Sequence, residues 1–243
     1  PLLGFGTWQL TGTECYDAVR TALDAGYRHL DTATVYRNHE HVGRALADSG
    51  VPRDEVFLTT KVPGDADDPA GVLATALREL GTDHVDLWLI HWPEGDQVRE
   101  DLWRACVAAR DGGSTRDVGV SNYSLDQLDR LTDATGEQPA VNQIEWAPTL
   151  YDEEVARGHE QRGIVLEGYS ALKNTDLDDA VLREVADAHG VTPVQVLLRW
   201  HLDHGFVAIP KSVTPERIRS NVDVAAFSLD EEELARIDGL ARS

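Results

Sequence analysis

Short apolar runs alternate along this chain with longer segments whose apolar residues recur at helical spacing. The short runs cover residues 2–6, 29–32, 56–61, 85–91, 117–120, 140–145, 164–168 and 206–210. They are mostly non-alternating, as expected of strands in a parallel sheet covered on both faces. Between and after them the 3.6-residue period predicts helices over 14–25, 39–48, 69–80, 99–110, 125–132, 152–161, 178–189 and 193–204. The segment 69–80 starts on Pro69 and stops before Gly81, the usual asymmetry of helix ends. Thr214 is a good N-cap with Pro215 at the first helical position. Ser228-Leu-Asp-Glu231 has capping-box spacing and predicts a last helix over 229–240.

Eight strands in strict alternation with helices predict an α/β protein, a (β/α)8 TIM barrel forming a single domain over 1–243. A doubly wound open sheet is the competing arrangement. It would usually carry a Gly-rich fingerprint after its first strand, and Gly4-Phe-Gly6-Thr-Trp8 lacks the third glycine. At 243 residues and 42% hydrophobic, the chain can build one substantial core. No 18-residue apolar run occurs, so no membrane span is expected, and the N-terminus lacks a signal-peptide pattern. The chain begins at Pro1 and contains no Met, as expected if leading residues are missing.

Charge adds a second theme. The formal net charge is −21, and the only lysines are Lys61, Lys173 and Lys211. Such a surface argues against nucleic-acid or anionic-membrane partners. It suits a protein working in concentrated salt, where self-repulsion is screened; an acidic protein from a GC-rich, arginine-favouring genome is the alternative. Cys15 and Cys106 lie in helix-like segments and read as buried small hydrophobes. Without a disulfide framework, a cytoplasmic location is expected.

In such barrels, function gathers at the C-terminal ends of strands. Polar residues fall there run after run: Asp31, Lys61, His91, Ser121-Asn122, Gln143, Tyr169-Ser170 and Lys211-Ser212. Tyr36 follows Asp31 by five residues. A phenol is a poor acid near neutrality, and a nearby ammonium favours its ionised form, so Lys61 is expected to lower the pKa of Tyr36. Asp31 supplies the partner that a buried lysine needs. His91 can orient a carbonyl oxygen by hydrogen bonding. Together these groups can protonate an oxygen that gains negative charge. A metal-dependent hydrolase is a rival reading, but His39-x-His41 falls at a helix start and no acid-plus-His set converges, so no metal is expected. His201 and His204, three apart, read as a polar helix face.

The chain resembles the aldo-keto reductase superfamily over essentially its whole length. The shared patterns are Gly-Phe-Gly-Thr-Trp (4–8), Gly-Tyr-Arg-His-Leu-Asp-Thr-Ala (26–33), Tyr-Arg-Asn (36–38), Thr-Thr-Lys (59–61), Ile-His-Trp-Pro (90–93), Gly-Val-Ser-Asn-Tyr (119–123), Val-Asn-Gln-Ile-Glu (141–145), Gly-Tyr-Ser (168–170) and Ile-Pro-Lys-Ser-Val-Thr-Pro-Glu-Arg-Ile (209–218). Compact prokaryotic members such as 2,5-diketo-gluconate reductases are most similar.

The resemblance implies NADP(H)-dependent reduction of small-molecule aldehydes and ketones by a monomer. It makes Asp31, Tyr36, Lys61 and His91 a catalytic tetrad, with Tyr36 as general acid. Ser121, Asn122 and Gln143 would hold the nicotinamide carboxamide, and Tyr169 would stack on its ring. Gly6, Thr7, Asp31, Ser170, Lys211, Ser212, Val213, Thr214, Arg217 and Asn221 complete the implied cofactor contacts. Trp8 and Trp92, with Tyr36 and His91, would line the substrate pocket. Lys211 and Arg217 also flank a helix N-terminus, where two cations and nearby hydroxyls suit a phosphate monoester and favour NADPH, with NADH secondary.

Several positions depart from the family pattern. His39 stands where an acid is usual, Ser220 replaces an acid often near the adenine, and Gly-Tyr-Ser-Ala replaces x-Tyr-Ser-Pro. The loop from 94 to 99 is short. The N-terminal hairpin and the C-terminal loop of larger members are absent from the sequence, which leads us to expect an open site with loose substrate selection. Some relatives are non-catalytic binding or structural proteins; the intact tetrad argues against that role here.

Overall fold

All eight apolar runs become strands in the computed structural model: β1 (Phe5–Gly6), β2 (His29–Asp31), β3 (Phe57–Val62), β4 (Val85–Ile90), β5 (Thr115–Ser121), β6 (Val141–Glu145), β7 (Val165–Tyr169) and β8 (Val207–Ala208). The structure describes residues 1–242; Ser243, the last residue of the expected domain, lies outside them. The strands lie in sequence order, and every neighbouring pair is parallel. The sheet closes on itself through a parallel bridge between Leu3 and Ala208, with Gly4 N donating to Ala208 O at 2.8 Å and Gly6 N to Pro210 O at 3.0 Å. The result is the expected (β/α)8 barrel.

Closure explains the two early glycines. A Cβ on Gly4 would lie 2.7 Å from His29 Nδ1, and one on Gly6 would lie 2.8 Å from Ile209 O. Gly6 therefore allows close approach to the backbone that follows β8, and Gly4 leaves room for the His29 ring. These two strands are also shorter than the apolar runs suggested. Pro210 has no N–H to continue the ladder, so β8 stops before it.

Among the described residues ten α-helices follow the predicted segments: α1 (Gly12–Asp24), α2 (His39–Ser49), α3 (Pro69–Leu80), α4 (Glu100–Asp111), α5 (Leu125–Thr135), α6 (Glu153–Arg162), α7 (Ala180–His189), α8 (Pro193–Asp203), α9 (Pro215–Val222) and α10 (Glu231–Asp238). Helix α3 shows why these boundaries were readable. Asp68 Oδ1 accepts from Gly71 N at 3.0 Å, Pro69 fills the first position, and Gly81 takes φ +69° at the end. The main core packs the inner faces of these helices on the barrel wall. Strand β4 is buried along its whole length, as a doubly covered parallel strand must be.

Three local expectations are corrected. The last helix starts at Glu231 with a capping box from Asp230 to Glu233, not from Ser228 to Glu231. Leu229 is buried, and its N–H donates to Asp203 Oδ2 at 2.8 Å, which holds the chain extended two residues longer. Thr214 does occupy the N-cap of α9, but its hydroxyl makes no capping bond. His201 is fully buried, its ring nitrogens on Leu197 O and Trp146 O at 2.8 and 3.2 Å, so it does not belong to a polar face.

Candidate active site

The site grows from the ends of β2, β3 and β4. Asp31 is the last residue of β2 and pairs in register with Thr59, two residues before Lys61 on β3. Alternation along β3 turns Lys61 and Thr59 to the same face. Lys61 Nζ donates to both Asp31 oxygens at 2.6 Å and to Thr32 O at 3.1 Å, which accounts for all three ammonium protons. Burial alone would lower the Lys61 pKa. The Asp31 carboxylate, with Tyr36 and Glu167, outweighs it and holds the ammonium above the usual lysine range.

Tyr36 arrives on a short 3-10 turn, Thr34–Tyr36, followed by Arg37 in the left-handed region at φ +55°. Asn38 holds that turn in place: fully buried, it donates to Thr7 O and Leu10 O at 3.0 and 3.1 Å and accepts from Thr32 Oγ1. Thr34 Oγ1 ties the turn to Lys61 O at 2.8 Å. The Lys61 ammonium sits 5.3 Å from the Tyr36 ring centroid, and the His91 ring meets Tyr36 edge-on at 5.7 Å. The four expected residues thus come together.

Lys61 does pull the Tyr36 pKa down, as expected, but a larger effect opposes it. Burial raises the Tyr36 pKa above the ordinary phenol range; Lys61 pulls the other way without winning. The phenol therefore keeps its proton near neutrality, and the effect of Lys61 is to stabilise the phenolate once the proton leaves. Burial, helped by Lys61, pushes His91 down to about 3, so its imidazole is neutral.

The opposite wall comes from β5, β6 and β7. Asn122, at φ +66°, donates to His91 O at 3.1 Å and to Ser121 Oγ at 3.0 Å, and accepts from the Tyr169 hydroxyl at 2.7 Å. Ser121 Oγ donates to Gln143 O at 2.7 Å. Gln143 lines the same cleft, yet its amide nitrogen is committed inside the barrel, to Asp31 Oδ2 at 2.8 Å and Glu167 Oε1 at 2.6 Å. Thr7 is likewise buried, with its hydroxyl on Asp31 O at 2.9 Å, where it supports the end of β2. Ser170 takes φ +57° at the end of β7.

These walls enclose a cleft of about 720 Å³ that runs from Tyr36 and His91 to Lys211. Trp8, Trp92 and Val35 stand at its mouth, each more than half exposed. Beyond Lys211, the Ser212 hydroxyl accepts from Thr214 N at 3.1 Å, and α9 carries exposed Arg217 and buried Asn221. Val213 is exposed beside them. Among the described residues, no acid lies within ion-pair distance of Lys211, Arg217 or Arg219. In a chain of net charge −21, three cations left without acid partners on one short segment leave a positive spot.

A second hollow of about 730 Å³ lies outside the barrel between α2 and α3. Its deeply buried polar side chain, His39, already contacts Thr60 Oγ1 at 2.8 Å and Glu79 Oε2 at 3.3 Å. The acid, phenol, ammonium and imidazole converge at the first cleft, not at this hollow.

Two contributors escaped the sequence reading. Arg219 joins the cations of α9. Glu167 is a lone acid inside the apolar run Ile164-Val-Leu-Glu-Gly168, and a charge in a strand covered on both faces was the available signal.

Comparison with known proteins shows the family. Residues 2–242 match the profile of the aldo/keto reductase family. An aldo-keto reductase of Mycolicibacterium smegmatis is 44% identical, over 99% of this chain and 89% of its own. Methylglyoxal reductase DkgA of Yersinia pestis is 43% identical, over 99% and 88%. Among solved structures, an aldo/keto reductase from Brucella melitensis superposes with a TM-score of 0.94 at 40% identity, covering 99% of this chain and 94% of that one. A point mutant of Gox0644 in complex with NADPH superposes at 0.93 with 37% identity, covering 99% and 89%.

Proposed function

The chain belongs to the aldo/keto reductase family and is an NADP-dependent oxidoreductase of carbonyl compounds, and we propose that Asp31, Tyr36, Lys61 and His91 carry its chemistry. The observation behind this assignment is the contact set itself: a buried lysine bonded twice to Asp31, lying over the ring of a tyrosine that faces the cleft beside a neutral histidine.

The residues of the cleft fit NADPH. Amide and hydroxyl groups of Asn122 and Ser121, with Gln143 alongside, suit a carboxamide, and Tyr169 offers an aromatic face. Lys211, Ser212, Val213, Thr214, Arg217 and Asn221 suit the adenosine end, where unpaired cations meet a phosphate monoester. Gly6 and Ser170 line the cleft wall, and Thr7 acts from behind it by holding the end of β2. When bound, the nicotinamide supplies the hydride.

The protein's own residues handle the proton. A carbonyl oxygen placed between Tyr36 and His91 receives a hydrogen bond from the phenol, and the neutral imidazole orients it. As charge develops on that oxygen, Tyr36 transfers its proton. Lys61 stabilises the phenolate left behind, and Asp31 keeps Lys61 charged in a buried setting. Trp8 and Trp92 give the substrate apolar walls at a wide mouth.

Tyr36→Phe tests the assignment. General-acid catalysis contributes roughly 10²–10⁴-fold, so turnover should fall by about that much while NADPH still quenches the protein's fluorescence on binding. Full activity in the variant would refute Tyr36 as the acid.

Finer points extend the proposal. The two buried, unpaired thiols fit a reducing cytoplasm. The acidic surface fits a monomer adapted to salt; sedimentation at low and molar salt tests the oligomeric state, and a stable dimer would overturn it.

A further inference from the structure

We propose that Glu167 is a positioning residue of this reductase: from inside the barrel it fixes the charge seen by Lys61 and hence the pH range over which Tyr36 keeps its proton. The inference rests on Tyr36 being the acid.

Glu167 lies on β7 two residues before Tyr169, so its side chain points into the barrel one layer below the cleft wall. It is in register with Gln143 on β6 and Val207 on β8, and is 1% exposed. Gln143 Nε2 donates one proton to Glu167 Oε1 at 2.6 Å and the other to Asp31 Oδ2 at 2.8 Å. A single amide nitrogen therefore bridges two carboxyl groups, and one of them is the partner of Lys61.

Charge decides the state of this cluster. Asp31 and Lys61 neutralise each other. An ionised Glu167 would leave one uncompensated negative charge in the barrel, a costly state. A protonated Glu167 keeps the cluster neutral and still accepts from Gln143 through its carbonyl oxygen. The charged groups that bear on it are Asp31 from β2 and Lys61 from β3; Gln143 is neutral and Val207 carries no charge. Burial first, and Asp31 second, push the Glu167 pKa up to about 8 against the pull of Lys61 and Gln143. In return, an ionised Glu167 raises Lys61.

The consequence reaches Tyr36 through Lys61. Once Glu167 ionises, the positive field over the phenol weakens and Tyr36 holds its proton to higher pH. A simple structural role for Glu167 predicts no such link, because a glutamine would make the same bond to Gln143.

Glu167→Gln separates the two. Aldehyde reduction with NADPH and alcohol oxidation with NADP⁺ would be followed from pH 6 to 11, using one aromatic aldehyde and its alcohol. The alkaline fall of reduction and the alkaline rise of oxidation should both move to lower pH, by about one unit for one nearby charge. Glu167→Asp, which retains an ionisable carboxyl, should bring both limbs back toward wild type. Limbs that stay in place, with or without a lower plateau, overturn the inference, as does a Glu167→Asp profile identical to that of Glu167→Gln. Should Glu167→Gln fail to fold, ¹³C-carboxyl titration of the wild type decides: a Glu167 carboxyl still protonated at pH 6 supports the inference, and one ionising in the ordinary carboxylate range overturns it. Full turnover in Tyr36→Phe would remove the reading beneath; an inactive Tyr36→Phe with unmoved Glu167→Gln limbs removes this inference alone.

Discussion

At the residue scale, Lys61 shows how a buried charge is made tolerable. All three of its protons are bonded, two of them to Asp31. Removing one partner of a buried pair typically destabilises by about 3–5 kcal/mol. Asp31→Asn should therefore lower stability in urea by about that amount, and a loss under ~1 kcal/mol would show that Lys61 does not depend on Asp31. Arg217→Ala should weaken NADPH far more than NADH in titrations, because only NADPH brings the extra phosphate; equal losses would remove the phosphate argument. The four candidate residues were legible in the sequence because strand ends converge in a barrel. His201 was read as part of a polar helix face and is buried, and Glu167 went unremarked inside the run 164–168. Which way each points depends on strand register and helix rotation, and neighbouring letters do not show either.

At the element scale, strand number and helix order follow directly from the apolar pattern, while the ends depend on what each terminus touches. The start of α10 is the clearest case. Two overlapping stretches, Ser228 to Glu231 and Asp230 to Glu233, offer capping-box spacing. The contact of Leu229 N with Asp203 selects the second. Asp230→Ala should then cost about 1 kcal/mol in a thermal or urea melt, and Ser228→Ala less than ~0.5 kcal/mol. The reverse order would place the cap at Ser228. The ends of β1 and β8 follow the same lesson, since Pro210 and the two close glycines set where the ladder can run.

At the scale of the whole molecule, net charge and barrel closure are the dominant facts. With 43 acids against 22 bases, the arginines and lysines cannot pair every carboxylate, and the surface carries a large excess of negative charge. At 1 M salt the Debye length is about 3 Å, so that repulsion is largely screened. The melting temperature should rise between 0.1 and 2 M NaCl; a midpoint that does not rise would favour the genomic origin of the acidity over adaptation to salt. The sequence by itself determined the eightfold strand–helix alternation, the identities of the acid, phenol, ammonium and imidazole, and the acidic surface, because periodicity and composition are properties of the chain. Only the tertiary structure decided that burial outweighs Lys61 at Tyr36, that Gln143 bridges Asp31 to Glu167, and that the cations of α9 stand without acid partners. These depend on distances and burial between residues far apart in sequence, which exist only once the barrel closes.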